Sequence, residues 1–381
     1  MERHRRSDVP LGVFLSGGID SSSIAAAVCD IQPASTVRTF SIGFDDPSFD
    51  ESTQARAVAD RLGTDHHART FSPEDALEIL PEVAGRLDEP LGDASILPTS
   101  LLSRFARESV TVALGGDGSD ELFAGYPTFA AQRAADWYRR FPGPARELAG
   151  AIVRRLPVSH ANISLDFQLK QFLRGAGEPP PLAHQRWMGS FSDAEIAGIL
   201  VDEPPRLEPE HLAMARALER DGVEIDPLTR SLWLYQQTYL AEDILTKVDR
   251  ASMAYGLEVR APFLDSTLVD RVEALPAHYK FGGGRTKRLL KRAVAGRLPT
   301  SIIGRRKKGF GIPAARWLRG PLGPLLDRLL GGAALRTQGI FRTEAVARLI
   351  GEHRAGSRDH RKPLWTLLMF QLWYQRWLSE S

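Results

Sequence analysis

The sequence predicts an α/β protein with a doubly wound, mostly parallel sheet that is elaborated by a mainly helical C-terminal half. Short apolar runs predict strands at Val9–Leu15, Val37–Phe44 and Thr111–Leu114. The segments Ser21–Cys29 and Asp50–Leu62 have helical patterns and follow the first two strands. Strands that alternate with helices pair in parallel, and such sheets bind ligands at the carboxyl ends of their strands.

Strand patterns fade after about Tyr126, and helical patterns separated by Pro- and Gly-containing breaks follow. The segments Leu232–Met253 and Leu364–Trp377 are long amphipathic helix candidates. We therefore expect one domain over residues 8–381. Residues 8–130 would form a nucleotide-binding core, and residues 131–381 a mainly helical part that closes the site.

Composition limits the classes of partner. The 381 residues include 49 Lys or Arg and 47 Asp or Glu, so the formal net charge is only +2, which gives no reason to expect a nucleic-acid or membrane partner. The single cysteine, Cys29, cannot form an intrachain disulfide and fits a reducing cytoplasm. The basic N-terminus is not followed by an unbroken apolar stretch, and no run of about 18 apolar residues occurs, so we expect neither a signal peptide nor a membrane span.

The glycine-rich loop after the first predicted strand predicts a phosphate site. Glycines let backbone N–H groups approach an anion closely, and the following helix N-terminus adds partial positive charge. Asp20 would repel phosphate unless a cation such as Mg²⁺ lay between them. A simple tight turn is the alternative, but it explains neither the serines nor Asp20. The residues expected at the phosphates are Leu15, Ser16, Gly17, Gly18, Asp20, Ser21 and Ser22.

A second glycine-rich turn, Gly115–Gly125, follows the third predicted strand and carries three acids. Asp117, Asp120 and Glu121 repel one another unless cations or ammonium groups offset their charge. This pattern predicts a second part of the same site. The alternative is that Asp120 and Glu121 only stabilise the N-terminus of a helix.

Three further patterns could contribute residues to a functional site. Asp243, Lys247 and Arg250 have helical spacings of four and three, which predicts a shared face or, alternatively, a surface salt-bridge ladder. The basic run 305–308 is typical of a solvated face or a nucleic-acid patch, and no interleaved aromatic residues support the latter. The adjacent histidines His66 and His67 are a weak candidate for a metal site, since adjacent side chains point apart and no third ligand is evident.

The segment Ser16–Ser22 resembles the PP-loop of ATP pyrophosphatases, which cut ATP between its α and β phosphates and transfer AMP. Further segments resemble the synthetase domain of the glutamine-dependent asparagine synthetases: Thr39–Phe44, Asp88–Thr99, Gly115–Tyr126 and Ala241–Asp265. The resemblance extends from residue 9 to about residue 320. It implies a PP-loop, adenine nucleotide α-hydrolase-like fold with ATP as co-substrate and Mg²⁺ as cofactor.

The resemblance also implies roles for individual residues. Asp117 would lie near the reacting carbonyl, where it would either accept a proton or only shape the pocket, because well-known relatives carry Glu there. Lys308 would neutralise the α-phosphate as pyrophosphate leaves. Adenine and ribose contacts fall on Ser41, Ile42 and Gly43, with Gly116 beside the nucleotide. Mg²⁺ falls on Asp20 and Asp120. The implied substrate contacts are Asp93, Asp120, Glu121, Asp243 and Lys247.

The implied reaction converts aspartate, ATP and ammonia into asparagine, AMP and pyrophosphate through β-aspartyl-AMP. The family begins with a glutaminase domain whose first residue after Met is a nucleophilic cysteine, whereas Glu2 follows Met1 here and the PP-loop begins at Ser16. We therefore expect free ammonia, a separate glutaminase chain, or a fragment of a longer protein. The sequence leaves open whether the chain forms a homodimer.

Three alternatives to aspartate amidation remain. A relative that adenylates another carboxylate, as β-lactam synthetases, lasso-peptide cyclases and surface-sugar amidotransferases do, would carry the same patterns. A noncatalytic ATP-binding partner of a separate glutaminase would keep the loop, although it would not need Asp20, Asp120, Glu121 and Lys308 together. A tRNA-modifying PP-loop enzyme is a weaker alternative. An RNA-binding assay with a salt series would distinguish it from the other candidates.

Overall fold

A single five-stranded sheet organises the part of the chain that carries the predicted loops. The computed structural model describes residues 1–162, 164–205, 208–222 and 224–379. All strands are parallel, in the order β3-β2-β1-β4-β5, which confirms the predicted α/β fold with a doubly wound parallel sheet. The strands are β1 (Leu11–Phe14), β2 (Arg38–Phe44), β3 (Asp65–Phe71), β4 (Val112–Leu114) and β5 (Glu258–Arg260).

Strand register places β1 at the centre of the sheet. Gly12 of β1 pairs with Arg38 of β2 on one side and with Ala113 of β4 on the other. The edge strands β3 and β5 were not predicted from sequence, because β3 is mostly polar and β5 has only three residues. Edge strands expose more of their surface than central strands and therefore lack a clear apolar pattern.

Helices make up most of the remaining chain. Two 3₁₀ helices lie at Ala34–Thr36 and Pro262–Leu264, and a π-helix spans Gln236–Leu245. The α-helices are α1 (Glu2–Arg5), α2 (Ile19–Cys29), α3 (Ser52–Leu62), α4 (Pro73–Ala84), α5 (Ile96–Arg107), α6 (Ser119–Phe123), α7 (Pro127–Tyr138), α8 (Gly143–Arg154), α9 (Leu165–Gly175), α10 (Pro180–Met188), α11 (Asp193–Ile199), α12 (Glu210–Arg220), α13 (Pro227–Tyr235), α14 (Thr246–Met253), α15 (Ser266–Glu273), α16 (Ala277–Lys280), α17 (Arg288–Ala293), α18 (Thr300–Ile303), α19 (Ala314–Arg319), α20 (Gly323–Leu330), α21 (Gly332–Gln338), α22 (Thr343–Arg354) and α23 (Arg361–Trp377).

The chain divides into two compact units, each built from three segments. The first unit contains Met1–Ser72, Ser95–Phe129 and Asp226–Ile312, and therefore the whole sheet. The second unit contains 73–94, 130–225 and 313–381. The first unit combines chain from both sides of residue 130. The predicted division into a nucleotide-binding core at 8–130 and a helical part at 131–381 is not tested by these units and stays a prediction.

The core of the first unit forms where α2 packs on the sheet. Val13 of β1 and Ala25 and Val28 of α2 are fully buried, and Val58 of α3 joins the same apolar cluster. The small alanine lets α2 approach the strand closely, so the loop that joins β1 to α2 is anchored at both ends.

The second unit has a separate apolar cluster that orients α7. Ala135 of α7 packs with Ala176 and Ala183 and with the ring of Trp187, all of them buried. Phe172 stacks on Trp187 with ring centroids 6.3 Å apart. Among the residues that the structure describes, no helix is long and apolar enough to cross a membrane.

Candidate active site

The phosphate loop, residues 16–22, joins β1 to α2. Gly17 has a φ of +71°, and a Cβ there would lie 2.6 Å from the backbone N of Ala55, so both conformation and space require glycine. The Ser16 N–H donates to Ser21 Oγ at 3.1 Å, and the Gly18 N–H donates to Ser16 Oγ at 3.3 Å. The loop is thus held by its own serines at the N-terminus of an 11-residue helix.

The acidic turn, residues 115–125, follows β4, includes the short helix α6 and lies directly against the phosphate loop. A Cβ on Gly116 would lie 3.0 Å from the Ser21 backbone N and 3.1 Å from Asp20 Cβ. The neighbouring strands β1 and β4 bring the two loops together, because parallel strands end at the same edge of a sheet. The structure therefore places the two glycine-rich turns side by side.

Two carboxylates and two lysines form a charge cluster between these loops: Asp20, Asp120, Lys287 and Lys307. Lys287 Nζ pairs with Asp20 and lies 2.5 Å from Asp120 Oδ1. Lys307 Nζ lies 2.6 Å from Asp120 Oδ2 and 3.6 Å from Asp20 Oδ2. Ser119 Oγ donates to Asp20 Oδ1 at 2.7 Å. The side chain of Lys287 is only 3% exposed, so this pairing takes place largely out of solvent.

The cluster keeps Asp120 and Lys307 charged at neutral pH. Burial disfavours the ionised form of Asp120, but the charges of Lys287 and Lys307 outweigh it and lower the pKa of Asp120 to about 2. Burial likewise opposes protonation of Lys307, and the two aspartates raise the pKa of Lys307 above its ordinary value. The carboxylate of Asp120 and the ammonium of Lys307 therefore stabilise each other's charge beside the phosphate loop.

Glu121 has a different environment from the adjacent Asp120. Burial and the charge of Asp120 raise the pKa of Glu121 to about 7. Tyr126 Oη donates a hydrogen bond to Glu121 Oε1 at 2.5 Å, which partly offsets the shift. Near neutral pH this carboxyl group can therefore hold or release a proton.

Asp117 and Lys247 are brought into electrostatic contact, although 130 positions separate them in the sequence. Asp117 is partly buried, and burial raises the pKa of its carboxyl group against the opposing charges of Lys247 and Lys307. Lys247 is buried on α14, which packs against α5 in the same unit.

The π-helix changes the spacing on which the predicted shared face was based. Asp243 lies in the π-helix, whereas Lys247 and Arg250 lie in α14. A π-turn adds a residue to the helical repeat, so α-helical spacing does not hold across this boundary. Arg250 is 40% exposed and pairs with the adjacent Asp249 at 2.6 Å.

The basic run divides between several partners. Lys307 enters the charge cluster, while Lys308 Nζ donates to the backbone O of Ser48 at 3.3 Å. Arg305 pairs with Glu51 at 2.8 Å. Both lysines line a cavity of the first unit that the phosphate loop also lines. The sequence pattern thus located the basic segment, and the structure distinguishes its two lysines.

The carboxyl end of β2 lies beside the phosphate loop. Ser41 and Ile42 are buried. Phe40, which precedes Ser41, accepts a hydrogen bond through its backbone O from the N–H of Leu15 at 2.8 Å. A Cβ on Gly43 would lie 2.9 Å from Asp50 Oδ1, so a larger residue there would displace the carboxylate of Asp50. The nucleotide contacts predicted at Ser41, Ile42 and Gly43 stay predictions.

The adjacent histidines have structural partners. His66 hydrogen-bonds Thr39 Oγ1 at 2.9 Å and Ser41 Oγ at 3.2 Å, and burial lowers the pKa of its ring to about 4. His67 hydrogen-bonds Asp65 Oδ2 at 3.0 Å. Within the described ranges, no group of three or more His, Cys, Asp or Glu side chains could hold a metal ion.

For two residues, the sequence prediction and the structure do not coincide: Asp93 was predicted but is untested, and Lys287 was found only in the structure. Asp93 belongs to the second unit, and its predicted substrate contact stays a prediction. Lys287 was not identified from sequence, because it lies in an ordinary basic segment, Arg285–Arg292, with no motif around it. Its backbone φ is +53°, and its N–H donates to the O of Phe123, which fixes it at the end of α6.

A parallel sheet whose central strand ends in a serine-glycine loop, with paired acids and lysines beside it, defines an α/β protein of the PP-loop type. The family described as asparagine synthase matches residues 1–375. The chain therefore belongs to the asparagine synthase family, which confirms the resemblance found in the sequence.

Similar proteins include asparagine synthetase [glutamine-hydrolyzing] 1 of Bacillus subtilis, 30% identical over 97% of this chain and 57% of that protein. A Mycobacterium tuberculosis protein, provisionally named an asparagine synthetase [glutamine-hydrolyzing], is 34% identical over 100% of this chain and 56% of its own length. Amidase chry2 of Gibberella zeae is 24% identical over 90% of this chain. The chain thus spans little more than half the length of the curated relatives it matches.

Proposed function

We propose that this protein is an ATP-dependent, AMP-forming ligase that converts the side-chain carboxylate of aspartate into an amide. The charge cluster is the observation that carries the proposal. Lys287 and Lys307 provide two cations beside a loop that presents N–H groups and a helix N-terminus. Such a surface is suited to the charge that develops as pyrophosphate leaves ATP.

The cluster also fits a divalent cation. Asp20 and Asp120 supply carboxylate oxygens, the ligand type that Mg²⁺ prefers, and Mg²⁺ commonly takes only one or two protein carboxylates together with substrate phosphates. Bound there, Mg²⁺ would neutralise phosphate charge. The two lysines would then be available to the phosphate oxygens, because the aspartates would no longer need them as their only counterions.

In the first step, a carboxylate oxygen of aspartate attacks the α-phosphorus, and the bond to the bridging oxygen of pyrophosphate breaks. Lys307 and Lys287 stabilise the negative charge on the departing group. We assign the α-phosphate role that the resemblance gave to Lys308 preferentially to Lys307, since Lys307 lies in the charge cluster and Lys308 contacts a backbone oxygen.

In the second step, ammonia attacks the acyl carbonyl and AMP leaves as the C–N bond forms. The attacking nitrogen loses a proton, which Asp117 accepts. Burial raises the pKa of Asp117 and so makes it a better base than an ordinary aspartate. Glu121, with a pKa of about 7 and a hydrogen bond from Tyr126, positions the substrate amino group.

Ammonia is the immediate nitrogen donor in this proposal. The relatives named glutamine-hydrolyzing are nearly twice as long as the matched region. We propose that the synthetase part itself uses ammonia, whatever its source, and that the reaction belongs to amino-acid biosynthesis in the cytoplasm.

ATP/pyrophosphate exchange with a panel of carboxylic acids tests the proposal. We expect exchange that depends on aspartate and, with ammonia added, asparagine and AMP in equal amounts by mass spectrometry. Asp20→Ala should abolish both. Exchange with a different acid would reassign the substrate, and product formation unchanged in Asp20→Ala would refute the proposed site. ATP binding without exchange for any acid would favour a noncatalytic partner.

A further inference from the structure

Helices α7 and α8 and the segment between them expose four large apolar side chains in the second unit. Trp137 is 66% exposed, Phe141 55%, Leu148 63% and Ile152 57%. Single exposed apolar residues are ordinary, but a group of this size on consecutive elements marks an interaction surface. We call these four residues, with Arg140, Arg154 and Arg155, the apolar-basic surface.

The packing of α7 directs Trp137 outward. Ala135 is fully buried, and Ala131 and Tyr138 pack against the apolar cluster of the second unit. These three residues have the spacing of one helical face. Trp137 lies off that face, and the guanidinium of Arg140 lies over its ring at 5.5 Å from the centroid.

Helix α8 also has an exposed apolar face. Leu148 and Ile152 are four residues apart, so their side chains share a face, and Arg155 follows three residues later. Gly150 is buried on the other side of the helix. Tyr138 Oη donates to the backbone O of Arg146 at 3.3 Å and so ties the end of α7 to the start of α8.

The charge of this region is strongly positive. Residues 133–155 contain six arginines and two acids, and Asp136 already pairs with Arg139. Arg140, Arg154 and Arg155 are exposed, and no described carboxylate forms an ion pair with any of them. The near-neutral charge of the whole chain conceals this local excess.

We propose that the apolar-basic surface docks the protein on an anionic lipid bilayer. Interfacial helices combine Trp, Phe and Leu on one face with arginine at its border, and the apolar side chains enter the headgroup region while the cations contact lipid phosphates. The association is peripheral, since the described helices include no membrane span. This inference differs from the expectation, drawn from net charge, of no membrane partner.

A lipid surface fits these features better than a protein does. Apolar side chains spread over two helices and the segment between them need no complementary shape in a bilayer, whereas a protein interface needs close packing at its centre. Unpaired arginines match the continuous negative potential of an anionic leaflet. A second copy of the chain would bring the same arginines face to face and would be repelled.

Co-sedimentation of the full chain with vesicles tests the proposal. One vesicle set contains equal parts of phosphatidylcholine and phosphatidylglycerol, and the other contains phosphatidylcholine alone. We expect binding to the anionic vesicles that weakens as salt is added. The double variants Leu148→Glu/Ile152→Glu and Arg154→Glu/Arg155→Glu should each lower the partition coefficient by about tenfold or more.

Matched controls separate this surface from general effects of charge. Met253→Glu changes another exposed apolar residue, and Arg342→Glu/Arg348→Glu changes two exposed arginines of the second unit. Both should bind anionic vesicles within about twofold of wild type. Circular dichroism and thermal unfolding of each variant establish that it is folded.

Three results would overturn the proposal. The first is an absence of wild-type binding to anionic vesicles. The second is equal loss of binding in the surface variants and the controls. The third is a wild-type dimer in sedimentation velocity that the double variant Leu148→Glu/Ile152→Glu converts to a monomer, while wild type binds no vesicles. That result would assign the surface to a second copy of the chain.

Discussion

Lys307 and Lys308 are adjacent in the sequence but contact different groups. Lys307 Nζ lies 2.6 Å from Asp120 Oδ2, and Lys308 Nζ lies 3.3 Å from the backbone O of Ser48. A sequence pattern locates a basic run, but a displacement of one residue within it decides which ammonium group faces the acids.

Replacing each lysine separately tests this difference. Lys307→Ala should lower aspartate-dependent ATP/pyrophosphate exchange by about a hundredfold, because it removes a cation from the proposed phosphate site. Lys308→Ala should lower it by less than about tenfold. Exchange rates at saturating ATP give the comparison, and thermal unfolding shows that both variants fold. A larger loss in Lys308→Ala would restore the role that the resemblance assigned to Lys308.

Glu121 should make stability depend on pH. Its folded-state pKa of about 7 lies above the ordinary value of 4.5, so the folded state holds the proton more tightly. This contribution to the free energy of unfolding is fully present below pH 4.5 and is lost as the pH rises through about 7. Glu121→Gln should therefore remove a decrease in stability over that window.

Urea unfolding at a series of pH values measures the effect as the difference between variant and wild type. The exposed Glu147 of α8 provides the matched control, and Glu147→Gln should leave the pH dependence unchanged. Parallel pH curves for Glu121→Gln and wild type would show that burial does not raise the pKa of Glu121 in the folded protein.

At the scale of elements, two glycine-rich turns and the first residues of the helices that follow them, α2 and α6, create the site. The phosphate loop and the acidic turn follow the neighbouring strands β1 and β4, and Gly116 is the point of close approach between them. The acidic turn ends with Ala124 at a φ of +56° and Gly125, where a Cβ would overlap Asp120 and Lys287. Small residues therefore set the distance between the loops.

Gly116→Ala should separate the two loops. Its Cβ would lie 3.0 Å from the Ser21 N, so one backbone must move, and we expect a loss of about 1–3 kcal/mol in stability with at least a tenfold weaker apparent affinity for ATP. Chemical denaturation and the KM for ATP in exchange measure the two effects.

Gly177→Ala is the control for Gly116→Ala, since nothing lies within 4 Å of a Cβ at Gly177. It should change neither stability nor the KM for ATP appreciably. If Gly116→Ala behaved in the same way, the acidic turn would not lie against the phosphate loop in solution.

At the scale of the whole molecule, nucleotide binding should stabilise the folded chain. A ligand that binds only the folded state raises the free energy of unfolding by about 2.7 kcal/mol at a concentration one hundred times its Kd. Thermal unfolding with increasing ATP and Mg²⁺ should therefore shift upward, and chelation of Mg²⁺ should reduce the shift.

Asp20→Ala separates this linkage from a general salt effect. The variant should lose the ATP-dependent shift, while Asp8→Ala, a change outside the charge cluster, should retain it. An equal shift in Asp20→Ala and wild type would place ATP away from the phosphate loop.

Much of the fold and part of the site could be predicted from sequence because they depend on local physics. An apolar strand, two glycines and a following helix specify the phosphate loop without distant contacts. The edge strands β3 and β5 were missed because a polar or three-residue strand has little local pattern. The π-helix was missed for a different reason, because the spacing of Asp243 and Lys247 also fits an α-helix.

The sequence by itself determined the α/β class, the phosphate loop, the acidic turn and the family resemblance, because each is encoded in a short run of residues. Only the tertiary structure decided that Lys287 and Lys307 share Asp20 and Asp120, and that Trp137 and its neighbours on α7 and α8 face outward with unpaired arginines. The physical reason is distance along the chain: Asp20 and Lys287 are far apart in sequence, and only the packing of the sheet and helices brings their charges together.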